Sequence, residues 1–167
     1  MHQPPPDAQE RTLQTIRELL ASHGAECREV HHQPTHTSEQ SAAARGERVE
    51  IGGKAIVMKV DETFHLFVLS AARAVDSSAI RRHLQARRSR FATPEELLQL
   101  TGLVPGSIPP FGRPVLDLDL YADDAMLTND RIAFNAGSLT DSMIMGVEDY
   151  IAVAAPNVFD FSRAAAP

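Results

Sequence analysis

Cysteine and long apolar runs are scarce in this sequence, and each scarcity excludes a class of protein. The single cysteine, Cys27, cannot form an internal disulfide and fits a reducing compartment, where a lone thiol is more often a small core residue than a nucleophile. The longest apolar runs are far too short to cross a bilayer. The first residues show no basic region followed by an apolar block. We therefore expect a cytoplasmic protein without membrane contact.

Positive charge is also limited. The formal net charge is −6, and arginine supplies 14 of the 16 basic residues, so lysine is rare. An acidic chain does not coat DNA or RNA through many phosphate contacts. It can still bind a short single-stranded end, which needs only a local positive patch.

The length of 167 residues fits one domain with a proper core. Residues 1–7 and 162–167 predict flexible tails around a domain at 8–161. Apolar periodicity and capping residues predict helices over 8–24, 37–46, 75–88, 93–102 and 147–155. Strands are predicted over 25–32, 49–60, 64–70, 115–123, 131–137 and 141–145. The expected fold is a single α+β domain with a curved, mixed or largely antiparallel, barrel-like sheet flanked by helices.

One lysine stands at an unusual place, in the segment "RVEIGGKAIVMKV". Side chains alternate along a strand, so Lys54 shares a face with Ile56, Met58 and Val60. A buried ammonium needs a carboxylate, water or an anionic ligand. The two preceding glycines permit positive φ and close backbone approach. The alternative is a strand-end lysine that extends to solvent.

A loop rich in proline and glycine, "VPGSIPPFG", follows the predicted helix at 93–102. Glycine lets consecutive N–H groups converge on one point, which would suit an oxyanion. The alternative is a purely structural loop, kept stiff by Pro105, Pro109 and Pro110.

The segment "FNAGSLTDS" brings Asn135, Ser138 and Asp141 close together. A serine near an aspartate suggests a nucleophile, but no histidine is close in sequence and the nucleophile-elbow motif is missing. We therefore favour hydrogen-bonding and positioning roles. The alternative is a turn whose side chains cap the backbone.

Three histidines, His31, His32 and His36, suggest a metal site. Pro34 breaks the helix that would align the last two, and no cysteine or acidic residue follows at a metal-binding spacing. We therefore expect neither a metal nor another cofactor.

Five arginines lie between positions 81 and 90 in "IRRHLQARRSR". A charge run is usually a solvated helix face. If the protein binds RNA, these arginines are the expected phosphate contacts: Arg81, Arg82, Arg87, Arg88 and Arg90.

Taken together, "GGKAIVMKV", "RFATPEELLQLTGLVPGSIPPFG" and "RIAFNAGSLTDSM" resemble the YbaK/ProX family of freestanding aminoacyl-tRNA editing proteins. The resemblance runs in order from about Pro34 to Tyr150. It implies a compact α+β domain that hydrolyses the ester between a wrong amino acid and the 3′ adenosine of a tRNA.

The resemblance also implies roles for individual residues. Lys54 would hold the phosphate or ribose of the terminal nucleotide, and Gly106 and Ser107 would present backbone groups to the scissile carbonyl. The tRNA's own 2′-hydroxyl would help to activate water. The same pocket would be lined by two further groups: Asn135, Gly137, Ser138 and Asp141 at the turn, and Thr37, Ser38 and Glu39 in the wall. Glu39 is a candidate receptor for the substrate α-ammonium group.

The expected function is that of a trans-acting aminoacyl-tRNA deacylase in translation quality control. Its expected partner is mischarged tRNA, with a synthetase as a further candidate partner. Two alternatives stay open: a non-catalytic adaptor that binds tRNA or a synthetase, and a hydrolase of small esters or amides. The turn at residues 134–141 departs from the histidine-containing or "GG" segment of some family members. The sequence therefore leaves alanine, serine, threonine and proline open as the edited residue.

Overall fold

The structure, a computed structural model, describes residues 6–166, with side chains from residue 8 onward. Most of the predicted N-terminal tail lies outside these residues. Five α-helices occur in the described range: α1 (Pro6–Ser22), α2 (Ser38–Arg45), α3 (Ser77–Leu84), α4 (Pro94–Thr101) and α5 (Val147–Ala154).

The helix ends follow local capping chemistry. Thr37 accepts a hydrogen bond from the Gln40 N–H at the start of α2, and Gly46 ends that helix with φ of 70°. At α4, Thr93 and Glu96 form a complete capping box, with Pro94 in the first turn. These three helix starts and stops are therefore fixed within a few residues of sequence.

Ten strands form three sheets in the described part of the chain. The five-stranded sheet has the order β5 (Ser89–Phe91), β2 (Gly53–Val60), β3 (Thr63–Ser70), β6 (Leu120–Asp123), β9 (Asn157–Phe159). The three-stranded sheet has the order β1 (Arg28–His31), β8 (Asp141–Gly146), β7 (Arg131–Asn135), and β10 (Ser162–Ala164) pairs with β4 (Arg73–Val75).

The pairing is mixed and the sheet stays open. Strand β3 is parallel to β6 and β6 is parallel to β9, whereas the other named pairs are antiparallel. The expectation of an α+β domain with a mixed sheet is confirmed, but the sheet does not close into a barrel. Its edge strands, β5 and β9, lie at opposite ends of the strand order.

Both faces of the five-stranded sheet are buried. Val57 faces one hydrophobic cluster together with Ile16 and Leu20 of α1, while Met58 faces a second cluster with Ile80 of α3. This alternation is the period-two pattern expected of a strand. The central strands therefore lie in a core covered by helices on both sides.

The two larger sheets meet at a pair of glycines. A parallel bridge joins Gly52 to Ala133 of β7. A Cβ placed on Gly53 would lie only 2.6 Å from Cδ1 of Ile132. Neither glycine has a positive φ, so they are needed here for close packing rather than for a left-handed turn.

Several segments differ from their sequence predictions. Val49–Ile51, predicted as the start of a strand, is a 3-10 helix, and β4, β5 and β9 lie where no strand was predicted. In residues 115–123 the three leucines are buried and Asp117 and Asp119 are exposed, as the alternation predicts, but Asp123 is buried and only Leu120–Asp123 is a strand. Arg113 binds both Asp117 and Asp119, at 2.7 Å each. These contacts hold the residues before β6 in turns. The predicted C-terminal tail contains strand β10, which pairs with β4.

No helix among residues 6–166 combines the length and the apolar character that crossing a membrane requires.

Candidate active site

A cavity of about 310 Å³ lies beside Gly52 and Gly53, where the two larger sheets meet. It is enclosed by the start of β2, the N-terminal half of α2 and the loop after α4. This volume is within the size range of small-molecule sites. Its lining includes five residues that the sequence analysis selected, namely Thr37, Ser38, Lys54, Gly106 and Asn135. It also includes Arg45, which that analysis missed.

Lys54 lies at the start of β2 on the wall of this cavity. Its Nζ donates a 2.8 Å hydrogen bond to the carbonyl oxygen of Arg73, and burial lowers its pKa. Within residues 6–166 it forms no ion pair with a carboxylate. The ammonium is thus held at the cavity by one neutral oxygen, with its charge uncompensated.

Arg45 closes the last turn of α2 and is only 8% exposed. Its Nε donates to Ser142 Oγ at 2.9 Å, and its Nη2 donates to Asn135 Oδ1 at 3.0 Å. Burial lowers the pKa of its guanidinium to about 10, so the group stays charged at neutral pH. Ser41, Ala42 and Arg45 form the buried face of this short polar helix, which the sequence does not reveal.

A polar network continues from Arg45. Asn135 donates from Nδ2 to the Gly106 carbonyl at 2.7 Å, and Ser142 Oγ lies 2.8 Å from His32 Nε2. The network links β7, β8, α2 and the proline-rich loop. A shift of one segment is therefore transmitted to the others.

The loop after α4 places Gly106, but not Ser107, on the cavity. Gly106 has φ of 87°, a conformation that favours glycine. Within the described residues its N–H has no acceptor. Ser107 is fully buried, and both its N–H and its hydroxyl donate to the Val104 carbonyl, at 3.1 and 2.7 Å. Its backbone therefore braces the loop, and its carbonyl receives the Gly137 N–H at 3.0 Å.

The wall formed by α2 is rich in hydroxyl groups. Thr37 and Ser38 begin the helix on the cavity, and behind them Thr35 Oγ1 and Ser41 Oγ lie 2.8 Å apart. Glu39 is exposed and lies outside the lining. The expected carboxylate for an α-ammonium group is therefore missing from this wall.

Ser138 and Asp141 lie in the adjoining turn, outside the cavity lining. Ser138 Oγ donates to Asp141 Oδ2 at 2.7 Å, and His31 Nδ1 lies 2.9 Å from the other carboxylate oxygen. Burial acts to raise the Asp141 pKa, but the hydrogen bonds from His31 and Ser138 outweigh it, so the pKa is lowered. The aspartate separates serine from histidine, which is not the order of a catalytic triad. Gly137, with φ of 98°, also lies outside the lining.

The histidines that suggested a metal have other contacts. Besides the His31 contact, His32 Nδ1 lies 2.8 Å from the Gln33 carbonyl, and His36 lines the cavity. Within residues 6–166, no three His, Cys, Asp or Glu side chains converge on a point where a metal could bind.

The arginine cluster lies away from the cavity. Arg90 pairs with Lys59 of β2, five residues from Lys54, which is about 16 Å along the strand. Arg88 contacts Glu62 at 3.1 Å, and Arg90 binds Glu96 at 2.7 and 3.0 Å. Part of the positive charge of this cluster is therefore neutralised within the protein.

Among the described residues, the lining of the cavity contains two cationic side chains, Lys54 and Arg45, and no aspartate or glutamate. Together with the free Gly106 N–H, this lining suits a ligand that carries negative charge. Fold and site thus define an α+β protein with a positively charged cavity.

Comparison with known proteins identifies the family of this chain. Residues 32–153 match the family model of the aminoacyl-tRNA editing domain, and the chain belongs to this family. The resemblance inferred from the three sequence motifs is therefore confirmed.

Similar proteins include one that is matched over nearly its full length and one that is matched over a small part of its length. The multifunctional Ser/Thr-tRNA deacylase ProXp-y of Escherichia coli (strain K12) is 37% identical over 160 residues, covering 92% of this chain and 95% of that protein. A proline–tRNA ligase of Shouchella clausii (strain KSM-K16) is 34% identical over 100 residues, which are 60% of this chain and 17% of the ligase. A solved structure described as a candidate trans-editing enzyme for prolyl-tRNA synthetase shares the fold, with a TM-score of 0.79 at 24% identity, covering 92% of this chain and 98% of that one.

Proposed function

We propose that this protein is a trans-acting aminoacyl-tRNA deacylase, which hydrolyses the ester between a wrong amino acid and the 3′-terminal adenosine of a tRNA. The observation that carries the proposal is the acid-free cavity with Lys54 and the Gly106 loop on its wall, in a member of the editing-domain family. The relative with nearly full coverage is by name a deacylase.

Lys54 binds the terminal nucleotide. Its ammonium is partly desolvated and, within the described residues, has only the Arg73 carbonyl as a partner, so a phosphate or ribose oxygen gains a charge-assisted hydrogen bond on entry. The ligand leaves on turnover, and no permanent counterion competes with it.

The Gly106 N–H stabilises the negative charge that develops on the carbonyl oxygen of the ester. Water attacks the carbonyl carbon, and the tetrahedral intermediate carries an oxyanion that the Gly106 N–H stabilises. The carbon–oxygen ester bond then breaks, and the ribose oxygen leaves with a proton. Products are the free amino acid and the tRNA with its 3′ end restored. The vicinal 2′-hydroxyl assists by accepting and returning the proton of the attacking water.

The remaining predicted residues shape the site. Asn135 holds the Gly106 carbonyl and so orients the loop. Ser107, Gly137, Ser138 and Asp141 keep the loop and the adjoining turn in place through the hydrogen bonds described above. Thr37 and Ser38 form the wall for the amino acid. Glu39 acts from outside that wall.

The hydroxyl-rich wall makes seryl- and threonyl-tRNA the first substrates to examine, because hydroxyl groups there pair with a substrate hydroxyl. The similar E. coli protein is named for the same two tRNAs. We further propose that Arg81, Arg82, Arg87, Arg88 and Arg90 contact the tRNA beyond its 3′ end, that a synthetase is a partner, and that the protein acts in the cytoplasm, where tRNAs are charged.

The test is a panel of mischarged tRNAs, including alanyl, seryl, threonyl and prolyl species, incubated with the wild-type protein and with Lys54→Ala. We expect rapid deacylation of at least one species by the wild type and a loss of ten- to a hundredfold with Lys54→Ala. That range corresponds to one charge-assisted hydrogen bond of about 1.5–3 kcal/mol. Lys59→Ala, on the same strand, is the matched control and should retain activity.

Equal deacylation by both proteins would remove the assigned role of Lys54. Tight binding of a charged tRNA that stays charged would instead identify a non-catalytic adaptor. Activity on small acyl esters that survives loss of the arginine cluster would identify a general esterase.

A further inference from the structure

A second cation of the cavity, Arg45, has unused hydrogen-bonding capacity. Guanidinium carries five N–H donors in a fixed plane. The edge formed by Nε and Nη2 is occupied, because Nε donates to Ser142 and Nη2 to Asn135. The opposite edge, formed by Nη1 and the second Nη2 hydrogen, has no acceptor within residues 6–166.

This open edge lies on the side of the cavity. A Cβ built on Gly52 would be 3.7 Å from Nη1 of Arg45, and both residues line the cavity. Two neutral partners fix the plane of the guanidinium without compensating its charge. The geometry matches the bidentate contact that arginine makes with two oxygens of a phosphate.

A structural explanation is less favourable. A buried charge without a counterion destabilises the folded protein, and a purely structural arginine would be expected to pair with a carboxylate. The nearby acids are already engaged elsewhere: Glu47 binds Arg28 and Arg131, and Asp141 binds His31 and Ser138. The charge of Arg45 is therefore available to a ligand.

We propose that Arg45 is a phosphate-binding residue of the cavity, and that it forms with Lys54 a two-point receptor for the phosphate ester on the 5′ side of the terminal nucleoside. This inference rests on the proposed function for its biological ligand, the tRNA 3′ end. Ser142 and Asn135 are positioning residues, because they orient the guanidinium and leave its other edge open.

The probe is adenosine 5′-monophosphate, with adenosine and inorganic phosphate as comparisons, measured by calorimetric titration of the full chain. We expect the wild type to bind the monophosphate at least tenfold more tightly than adenosine. Arg45→Met should reduce this ratio severalfold, and the preference that remains is the contribution of Lys54. Arg45→Lys should recover part of it, because it keeps the charge but loses the fork. Ser142→Ala should give an intermediate ratio.

Thermal unfolding separates binding from structure. Arg45→Met should unfold at or above the wild-type temperature, since the substitution removes an uncompensated buried charge. The control is Arg17→Met, an exposed arginine paired with Glu29 at 2.8 Å, which should leave the binding ratio unchanged. If Arg45→Met fails to fold while Arg17→Met folds, Arg45 is structural and the proposal is overturned.

Other outcomes are equally informative. An unchanged monophosphate-to-adenosine ratio in Arg45→Met would also overturn the inference. So would tighter binding of free serine or threonine, through the carboxylate, than of every phosphate probe by the wild-type protein. These results would leave the deacylase proposal standing, because that proposal depends on turnover of charged tRNA. Conversely, the protein could fail to deacylate any charged tRNA while its monophosphate-to-adenosine ratio still depends on Arg45. That result would overturn the deacylase proposal and support the phosphate site.

Discussion

At the scale of single residues, the site is defined by which charges have partners. Lys54 and Arg45 donate only to neutral oxygens, whereas Asp141 is surrounded by donors. Charge without a counterion faces the cavity, and compensated charge lies in the turn beside it. In the proposed function, this division separates the residues that bind the substrate from those that hold the site in shape.

Substitution of Ser138 tests this division between binding and structural residues. Its hydroxyl donates to Asp141 and it lies outside the cavity lining, so Ser138→Ala should leave kcat within about threefold of wild type. The free energy of unfolding should fall by about 1 kcal/mol, as for a partly exposed hydrogen bond to a charged group. Deacylation kinetics and urea unfolding measure the two effects. A hundredfold loss of kcat in a folded protein would make Ser138 a nucleophile instead.

Sequence reasoning found one of the two cavity cations. Lys54 was identifiable because a lysine is unusual next to two glycines at the start of an apolar strand. Arg45 was not, because its partners Asn135 and Ser142 lie about 90 residues away in the chain and nothing local to "SAAARG" indicates them. Glu39 was placed on the wall by the family resemblance, but it is exposed and is not among the residues that line the cavity.

At the scale of elements, two loops with left-handed glycines shape the cavity rim. Gly106 and Gly137 are tied together because the Ser107 carbonyl accepts the Gly137 N–H. Tyr150 of α5 fixes the same region by donating to the Pro110 carbonyl at 2.7 Å. The position of the Gly106 N–H is thus set by α5 and β7 as well as by its own loop.

Gly106→Ala should therefore impair catalysis more than stability. A Cβ there would lie 3.3 Å from Leu139 and would adopt an unfavourable positive φ, at a cost of about 1 kcal/mol. Gly24→Ala is the matched control, because Gly24 has a similar φ of 64° with no atom within 4 Å of the added Cβ. Both variants should lose similar stability in urea, but only Gly106→Ala should lose deacylase activity, by at least tenfold. Equal activity would remove the oxyanion role.

Helix α4 gives a pH-dependent prediction. Hydrogen bonds from Arg90 and from the Thr93 backbone lower the Glu96 pKa from 4.5 to about 2. A lowered carboxyl pKa stabilises the fold above pH 4.5, and this contribution is lost as the pH falls toward 2. Glu96→Gln should be less stable than wild type at pH 7, and the difference should shrink between pH 4.5 and 2. Glu95→Gln removes a charge from the same helical turn and should show a smaller difference at pH 7.

The elements themselves were largely predictable, since caps and periodicity depend on neighbours in sequence. The failures have a common cause. Residues 115–119 are held in turns by Arg113, and β10 exists because β4 offers it an edge, so both outcomes depend on tertiary contacts. An alternating pattern predicts which side chains are buried but not the backbone between them.

At the scale of the whole molecule, the acidic chain carries two clusters of positive charge that include side chains without a counterion in the described residues. One is the cavity, and the other is the arginine cluster near the opposite end of β2. In the described residues, the guanidinium groups of Arg82 and Arg87 have no hydrogen-bond or ion-pair partner. These two are therefore the members of the cluster best placed to bind phosphates of a tRNA.

Arg82→Ala and Arg87→Ala should each weaken tRNA binding and lower the slope of log affinity against log salt by about one unit. The preference among charged amino acids should not change, because the cluster lies away from the cavity. Filter binding at several salt concentrations measures the slope, and Arg17→Ala serves as the control. Unchanged slopes in both variants would place the tRNA on another surface.

The fold class and the family were accessible from sequence because three motifs occur in the required order, and the family match confirms them. The open sheet was not accessible, since closure depends on whether the edge strands β5 and β9 meet. The meeting of the two larger sheets at Gly52 was equally hidden, because Ala133 lies far along the chain.

The packing of Gly53 against Ile132 limits how this protein can evolve. Any side chain at position 53 would have to displace Ile132, so neither position can drift alone. In a random library screened for function, larger residues at 53 should survive only when accompanied by smaller ones at 132. Positions 53 and 132 are therefore expected to change together.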